Sequence, residues 1–368
     1  MKRDIVLFLF FLLIFATSCS SDKQSGSDLP SFDVRKNYPE KEVKFTDIAD
    51  ITYLYLNSDD DDYLYKGRIH CITKNTVVVV DNISGSILFF LRDGIPKSRF
   101  NHQGQGPENY NVARQVIYDE MADDVFVLSD QNNVFQVYSS TGTYKRKITL
   151  PKGTFVDRYF SFDEQSLIIY DSSMEMKKNI PADETISPKQ YYDSHFVLIS
   201  KADGKMLDKV ELHGNNIVLR DDHVFLELGG VIGRTSRMVK CKDGVLLCNP
   251  ETDTVFLYNQ TGSLIPLIHK TPLISSIDPM IYLNNCVDAG RYQFMEVFIV
   301  RYEEGASPFP VKYYMRDKKN GEIYRQKILL PDYKGKEFVI SPLKSGVDYE
   351  NGPYFELDRK STRLNSSH

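Results

Sequence analysis

The chain of 368 residues has no tryptophan, only five cysteines, and no apolar run outside its N-terminus long enough to span a bilayer. Repeat architectures that place a tryptophan in every unit are thereby excluded. Cys71, Cys241, Cys248 and Cys286 form neither a CxxC pair nor a Cys/His cluster with zinc spacing, so they read as small buried hydrophobes rather than as bridges or ligands. No HExxH, GxSxG or EF-hand pattern occurs, and the histidines, among them His70, His102, His195, His213, His223 and His269, are scattered. No cofactor motif is found. A net charge of -5 with interspersed signs lacks the basic stripe of a nucleic-acid surface.

At the N-terminus Lys2 and Arg3 precede an apolar run from Ile5 to Phe15, then Ala16, Thr17, Ser18 and Cys19. The run is too short for a membrane helix and has the layout of a signal peptide over residues 1–18. Cys19 ends a lipobox, which places diacylglycerol on its thiol and a further acyl chain, typically palmitate, on its amine; several chains together anchor stably. The alternative is an ordinary secretory signal in which Cys19 is incidental. Residues 19–45, rich in Ser, Asp, Lys and Gly, are expected to be a flexible tether. Ser20 and Ser21 do not mark inner-membrane retention, and Asp22 beside Lys23 is a poor surface-export signal. The expected location is the cell envelope, at the outer membrane, facing the periplasm or the cell surface.

Beyond residue 45 the chain repeats. VVVVD ending at Asp81 is followed by ILFFLRDG ending at Gly94, VFVLSD ending at Asp130 by VFQVYSSTG ending at Gly142, and VLLCNP ending at Pro250 by VFLYNQTG ending at Gly262. Looser copies are SLIIYD ending at Asp171 with FVLISKADG ending at Gly204, and YYMRDKKNG ending at Gly321. The glycines are 48, 62, 58 and 59 residues apart, the spacing of β-propeller blades with loop insertions. β-Branched and aromatic residues suit half-buried strands, and polar pairs ending in Gly supply the positive φ of tight hairpins. Tyr144 to Ile148 reads as an outer strand with one solvated face, and ITYLYL, residues 51–56, as a strand before the first copy. The fold class is therefore all-β, a propeller of four-stranded antiparallel blades over residues 46–357; about 50 residues per blade gives six, with five or seven open. The missing tryptophan argues against a resemblance to WD40, Asp-box, YWTD and quinone-dependent propellers, which characteristically repeat it.

Gly104 to Tyr110, GQGPENY, lies between the first and second copies. It resembles the Gly-x-Gly-Pro-x-Glu-Tyr signature of six-bladed β-propeller lipoproteins common in Bacteroidota, distant relatives of NHL-repeat propellers; here Glu108 directly follows Pro107 and Asn109 takes the family's Glu position. The resemblance covers most of residues 46–357 and implies a six-bladed fold and a lipoprotein, without an activity. Gly104, Gly106 and Pro107 make a rigid turn. Either its backbone donors with Glu108 and Tyr110 present a ligand site, or it only links blades with Tyr110 packed beneath; the second is favoured.

Two functions from different classes follow. The preferred one is a non-catalytic binding or scaffolding module for a peptide, glycan or protein, membrane-bound through its lipid. The alternative is a metal-dependent hydrolase of lactone or ester type, with Asp81, Asp130 and Asp171 converging on an axial metal; repeated Asp residues that brace turns are the simpler expectation. An insertion from Ser172 to Ser194 is either a binding loop or a surface excursion, and Asp59 to Asp62 either a cation site or a solvated loop. Residues 358–368, DRKSTRLNSSH, resemble a translated sequencing adapter, so the natural chain is expected to continue differently after Leu357.

Overall fold

In the computed structural model the described residues are 29–50, 53–57, 61–63, 65–129, 133–173, 194–212, 236–249, 252–299, 310–330, 336–342, 345–348 and 352–355. Two short strands come first, β1 (Ser31–Asp33) and β2 (Glu40–Lys44). Five meandering sheets follow. The first blade is β3 (Gly67–Ile72), β4 (Thr76–Asp81), β5 (Ile87–Leu91) and β6 (Pro96–Phe100). The second is β7 (Gln115–Asp119), β8 (Asp124–Leu128), β9 (Val134–Tyr138) and β10 (Tyr144–Thr149). The third is β11 (Val156–Ser161), β12 (Ser166–Asp171), β13 (Phe196–Ser200) and β14 (Met206–Val210). The fourth is β15 (Met238–Cys241), β16 (Gly244–Cys248), β17 (Thr254–Asn259) and β18 (Leu264–Thr271), and the fifth β19 (Ile281–Ala289), β20 (Tyr292–Ile299), β21 (Val311–Asp317) and β22 (Ile323–Leu330).

Each sheet pairs its strands antiparallel in chain order. The middle strands carry the apolar runs because both of their faces are covered: Thr76–Asp81 and Asp124–Leu128 are buried throughout. Every repeat glycine, Gly94, Gly142, Gly204, Gly262 and Gly321, lies between the third and fourth strands of its blade with φ from 75 to 88°, as the hairpin chemistry requires. The core lies between blades. Phe89, Tyr118, Val127 and Tyr138 join the first and second, Phe126, Phe135, Tyr159 and Ile169 the second and third. Tyr170, Phe196 and Leu247 join the third and fourth, Cys248, Ile268, Cys286 and Met295 the fourth and fifth.

The first and fifth blades each have a further apolar face. Leu56, Val77, Leu88 and Phe90 line one, Tyr292, Phe294, Met315 and Ile328 the other. After β23 (Lys336–Phe338), which pairs antiparallel with the end of β22, come β24 (Ser345–Asp348) and β25 (Gly352–Phe355). β24 pairs in parallel with β3 at Asp348 and Ile72, and β25 lies against β19, so this hairpin bridges the first and last four-stranded blades.

Two expectations are corrected. The segment expected to be tether up to residue 45 contains β1 and β2, which pair in parallel with the outer strands of the fourth and fifth blades: Ser31, Phe32 and Asp33 oppose His269, Lys270 and Thr271, and Glu40 to Lys44 oppose Arg325 to Leu329. The physical reason is edge cover combined with burial, since Phe32 is buried among Tyr38, Tyr314 and Ile268 and is edge-on to the Tyr314 ring at 4.9 Å. This segment is a strap around two blades. The expected strand at ITYLYL is not formed in its described residues, 53–56; Leu56 packs on the first blade and the following Asn57 N–H donates to the Gly94 carbonyl at 2.9 Å, which anchors the segment without a ladder.

Candidate functional site

Connections from second to third strands, and from one blade to the next, emerge on one face of the ring. That face carries the GQGPENY turn, the strand ends at Asp81 and Asp171, and the connection containing the insertion. Cys19, Asp59, Asp60, Asp130, residues 174–193 and residues 358–368 lie outside the described residues. Asp62 of the acidic run pairs with Arg99 at 2.5 Å.

The turn is fastened to both blades that it joins. Gly104 N–H donates to the Tyr110 carbonyl at 3.0 Å and Asn109 N–H to the Gly106 carbonyl at 3.0 Å. The buried amide of Gln136 donates to the Pro107 and Asn109 carbonyls at 3.1 and 3.2 Å, and the Tyr138 hydroxyl to the Glu108 carbonyl at 2.5 Å. Tyr110 is fully buried; its hydroxyl donates to the Gly85 carbonyl at 2.8 Å and accepts from His102 N–H at 3.2 Å. Burial pushes its phenol up to about 12. A ligand on this face cannot touch Tyr110, whereas Gly106, Pro107 and the Glu108 side chain are exposed. The geometry is that of a blade linker with a packed tyrosine.

Asp81 and Asp171 brace loops of their own blades. Asp81 accepts from Lys66 N–H at 3.2 Å, Ile83 N–H at 3.1 Å and the Ser84 hydroxyl at 2.6 Å. Burial opposes its ionisation, but these donors outweigh it and hold the carboxyl below the usual range. Asp171 accepts at Oδ1 from Phe155 N–H at 2.9 Å and Ser173 N–H at 3.0 Å. Its Oδ2 is buried without a hydrogen-bond partner, and burial raises its pKa against those donors. Among the described residues no three His, Cys, Asp or Glu side chains are grouped as metal ligands.

Two features escaped the sequence reading. One is a groove of about 330 Å³ between strap and fifth blade, lined by Arg35, Tyr38, Tyr313 and Arg325 among others. The other is an arginine at the start of four successive inner strands: Arg68, Arg114, Arg158 and Arg237. It becomes visible only after the inner strands are identified, because the residues around each arginine differ.

These observations define an all-β propeller with four-stranded antiparallel blades. Residues 21–202 match the family model described as a 6-bladed beta-propeller. Among solved structures the chain is similar to a protein from Bacteroides fragilis described as exported, at 15% identity and a TM-score of 0.50, covering 81% of this chain and 79% of that one. It is also similar to a member of the duf4221 family from Bacteroides vulgatus, at 9% identity and a TM-score of 0.43, covering 80% and 87%. No curated protein matches the chain.

Proposed function

We propose that the protein is an exported, lipid-anchored binding module, acylated at Cys19, that holds a peptide, glycan or protein partner at the outer membrane without transforming it. The reading is carried by the use of Asp81 and Asp171: the hydrolase alternative needs these carboxylates at a metal, whereas donors of their own blades engage Asp81 at both oxygens and Asp171 at Oδ1. It is also supported by the strap. β1 lies on the outer edge of the fourth blade, so the described chain begins at the rim of the ring, away from the axis. The resemblance of GQGPENY to Bacteroidota lipoproteins agrees with such an anchor.

The anchor is tested by growing expressing cells with labelled palmitate. Label in the wild-type chain and none in Cys19→Ser is the expected result, and label retained in the variant contradicts it. Binding is tested by equilibrium titration of glycan and peptide panels against the full chain. Saturable binding without turnover supports the module; hydrolysis of a lactone or ester contradicts it.

A further inference from the structure

The inner strands are locked at matching heights by contacts from blade to blade. Val116 N–H donates to His70 Nδ1 at 3.0 Å, so Arg114 and Arg68, each two residues earlier, stand level. Gln115 Nε2 donates to the Tyr159 carbonyl at 2.7 Å and Tyr159 N–H to Gln115 Oε1 at 3.2 Å, which sets Arg114 level with Arg158. Lys240 Nζ donates to the Ser161 carbonyl at 2.7 Å, which ties the third and fourth inner strands together. The ladders agree: Arg68 opposes Val80, Arg158 opposes Tyr170, and Cys248 N–H donates to the Arg237 carbonyl at 3.0 Å. At this height the fifth blade supplies Asn284 and Asn285, which bond Ser236 N–H and the Arg237 carbonyl at 2.7 and 3.2 Å.

Inner strands begin on the loop-bearing face, so the four arginines stand at its axial end, Arg68 and Arg114 exposed, Arg158 half-buried and Arg237 buried. The Arg68 and Arg158 charges, on neighbouring inner strands, repel one another. Neither Arg68 nor Arg158 has an ion-pair partner among the described residues. Asp157, beside Arg158, is exposed and pulls the Arg158 pKa up; burial and the Arg68 charge pull it down and prevail. Arg114 lies over the Phe155 ring at 5.7 Å, which fixes its guanidinium near the same end.

From this register we propose that Arg68, Arg114, Arg158 and Arg237 form a ring that binds a small polyanion, carrying carboxylate or phosphate groups, at the axial mouth. Guanidinium forks recognise both groups bidentately, and an anion offsets the repulsion between Arg68 and Arg158. This deepens the binding-module reading and rests on it.

The test is isothermal titration calorimetry of the full chain at low salt with citrate and with pyrophosphate, on wild type, Arg68→Gln, Arg158→Gln and Lys147→Gln. Saturable binding of citrate alone assigns carboxylates, of pyrophosphate alone phosphates. Each arginine variant is expected to weaken Kd roughly tenfold, as loss of a charge-assisted contact does, while Lys147→Gln on an outer strand stays within about twofold. Denaturation midpoints of the arginine variants at or above wild type confirm that they fold. No saturable binding of either anion, or equal weakening by Lys147→Gln, overturns the ring. If neither anion binds but a neutral glycan or peptide does, the ring fails and the module stands; if an anion is bound and hydrolysed, the module fails and the ring stands.

Discussion

β10, which closes the second blade, and β18, which closes the fourth, hold the same place in their sheets and present different edges to water. β10 reads YKRKIT with alternate residues exposed; Lys145 and Arg146 share Asp124 at 2.8 and 2.6 Å, and Lys147 faces solvent. A charged edge of this kind discourages pairing with another chain and needs no cover. β18 buries Ile268 and Lys270, and the Lys270 ammonium is 0% exposed, paired with Asp253 at 2.7 Å and donating to the Pro272 carbonyl at 2.6 Å. Here β1 supplies the cover, with Phe32 directly opposite Lys270. The contrast explains the cover over β18, which buries an ion pair; on β22 the strap covers an edge with Ile328 and Leu330 buried, while Arg325 and Lys327 pair with Glu40 and Glu42 at the surface.

Removing the strap breaks the comparison most completely. Deletion of residues 29–45 is expected to bare the edges of β18 and β22 and to yield aggregated protein in size-exclusion chromatography, whereas a monomer with an unchanged melting curve would show that the strap is not part of the fold. Lys270→Ala leaves Asp253 buried without its cation and is expected to lower the unfolding free energy by about 3–5 kcal/mol in urea titration. The seam between the first two blades should respond to pH. Burial and the Arg68 charge push His70 down to about 3, so between that pH and about 6.5 the unfolded chain binds a proton that the folded chain refuses. Stability is then full above pH 6.5 and falls by about 1.4 kcal/mol per unit as the pH is lowered towards 3, and His70→Gln, which keeps an acceptor for Val116 N–H, should remove that share of the slope. The smallest effect belongs to the charged edge: Lys147→Ala should change stability by no more than about 0.5 kcal/mol.

Much of this architecture was legible in the chain because it is local. Strand, polar pair and glycine recur within a dozen residues, so the hairpins of Gly94 to Gly321 and the outer strand after Gly142 follow from turn chemistry and alternation. The bracing roles of Asp81 and Asp171 and the burial of Tyr110 beneath its turn are equally local. The strap is not. Ser31 pairs with His269 and Glu40 with Arg325, and strands as short as SFD and EKEVK carry no period that marks them off from a polar tether. The arginine ring is hidden for another reason: its members align only through blade-to-blade contacts such as Val116 with His70, which no single repeat contains.

The most direct measurement of the functional account is the metal content and hydrolytic activity of the full chain, by mass spectrometry after exhaustive dialysis and by assay on lactone and ester panels. The account predicts no divalent ion in stoichiometric amount and no turnover. One equivalent of a divalent ion, lost in Asp81→Asn or Asp171→Asn together with hydrolysis, would contradict it.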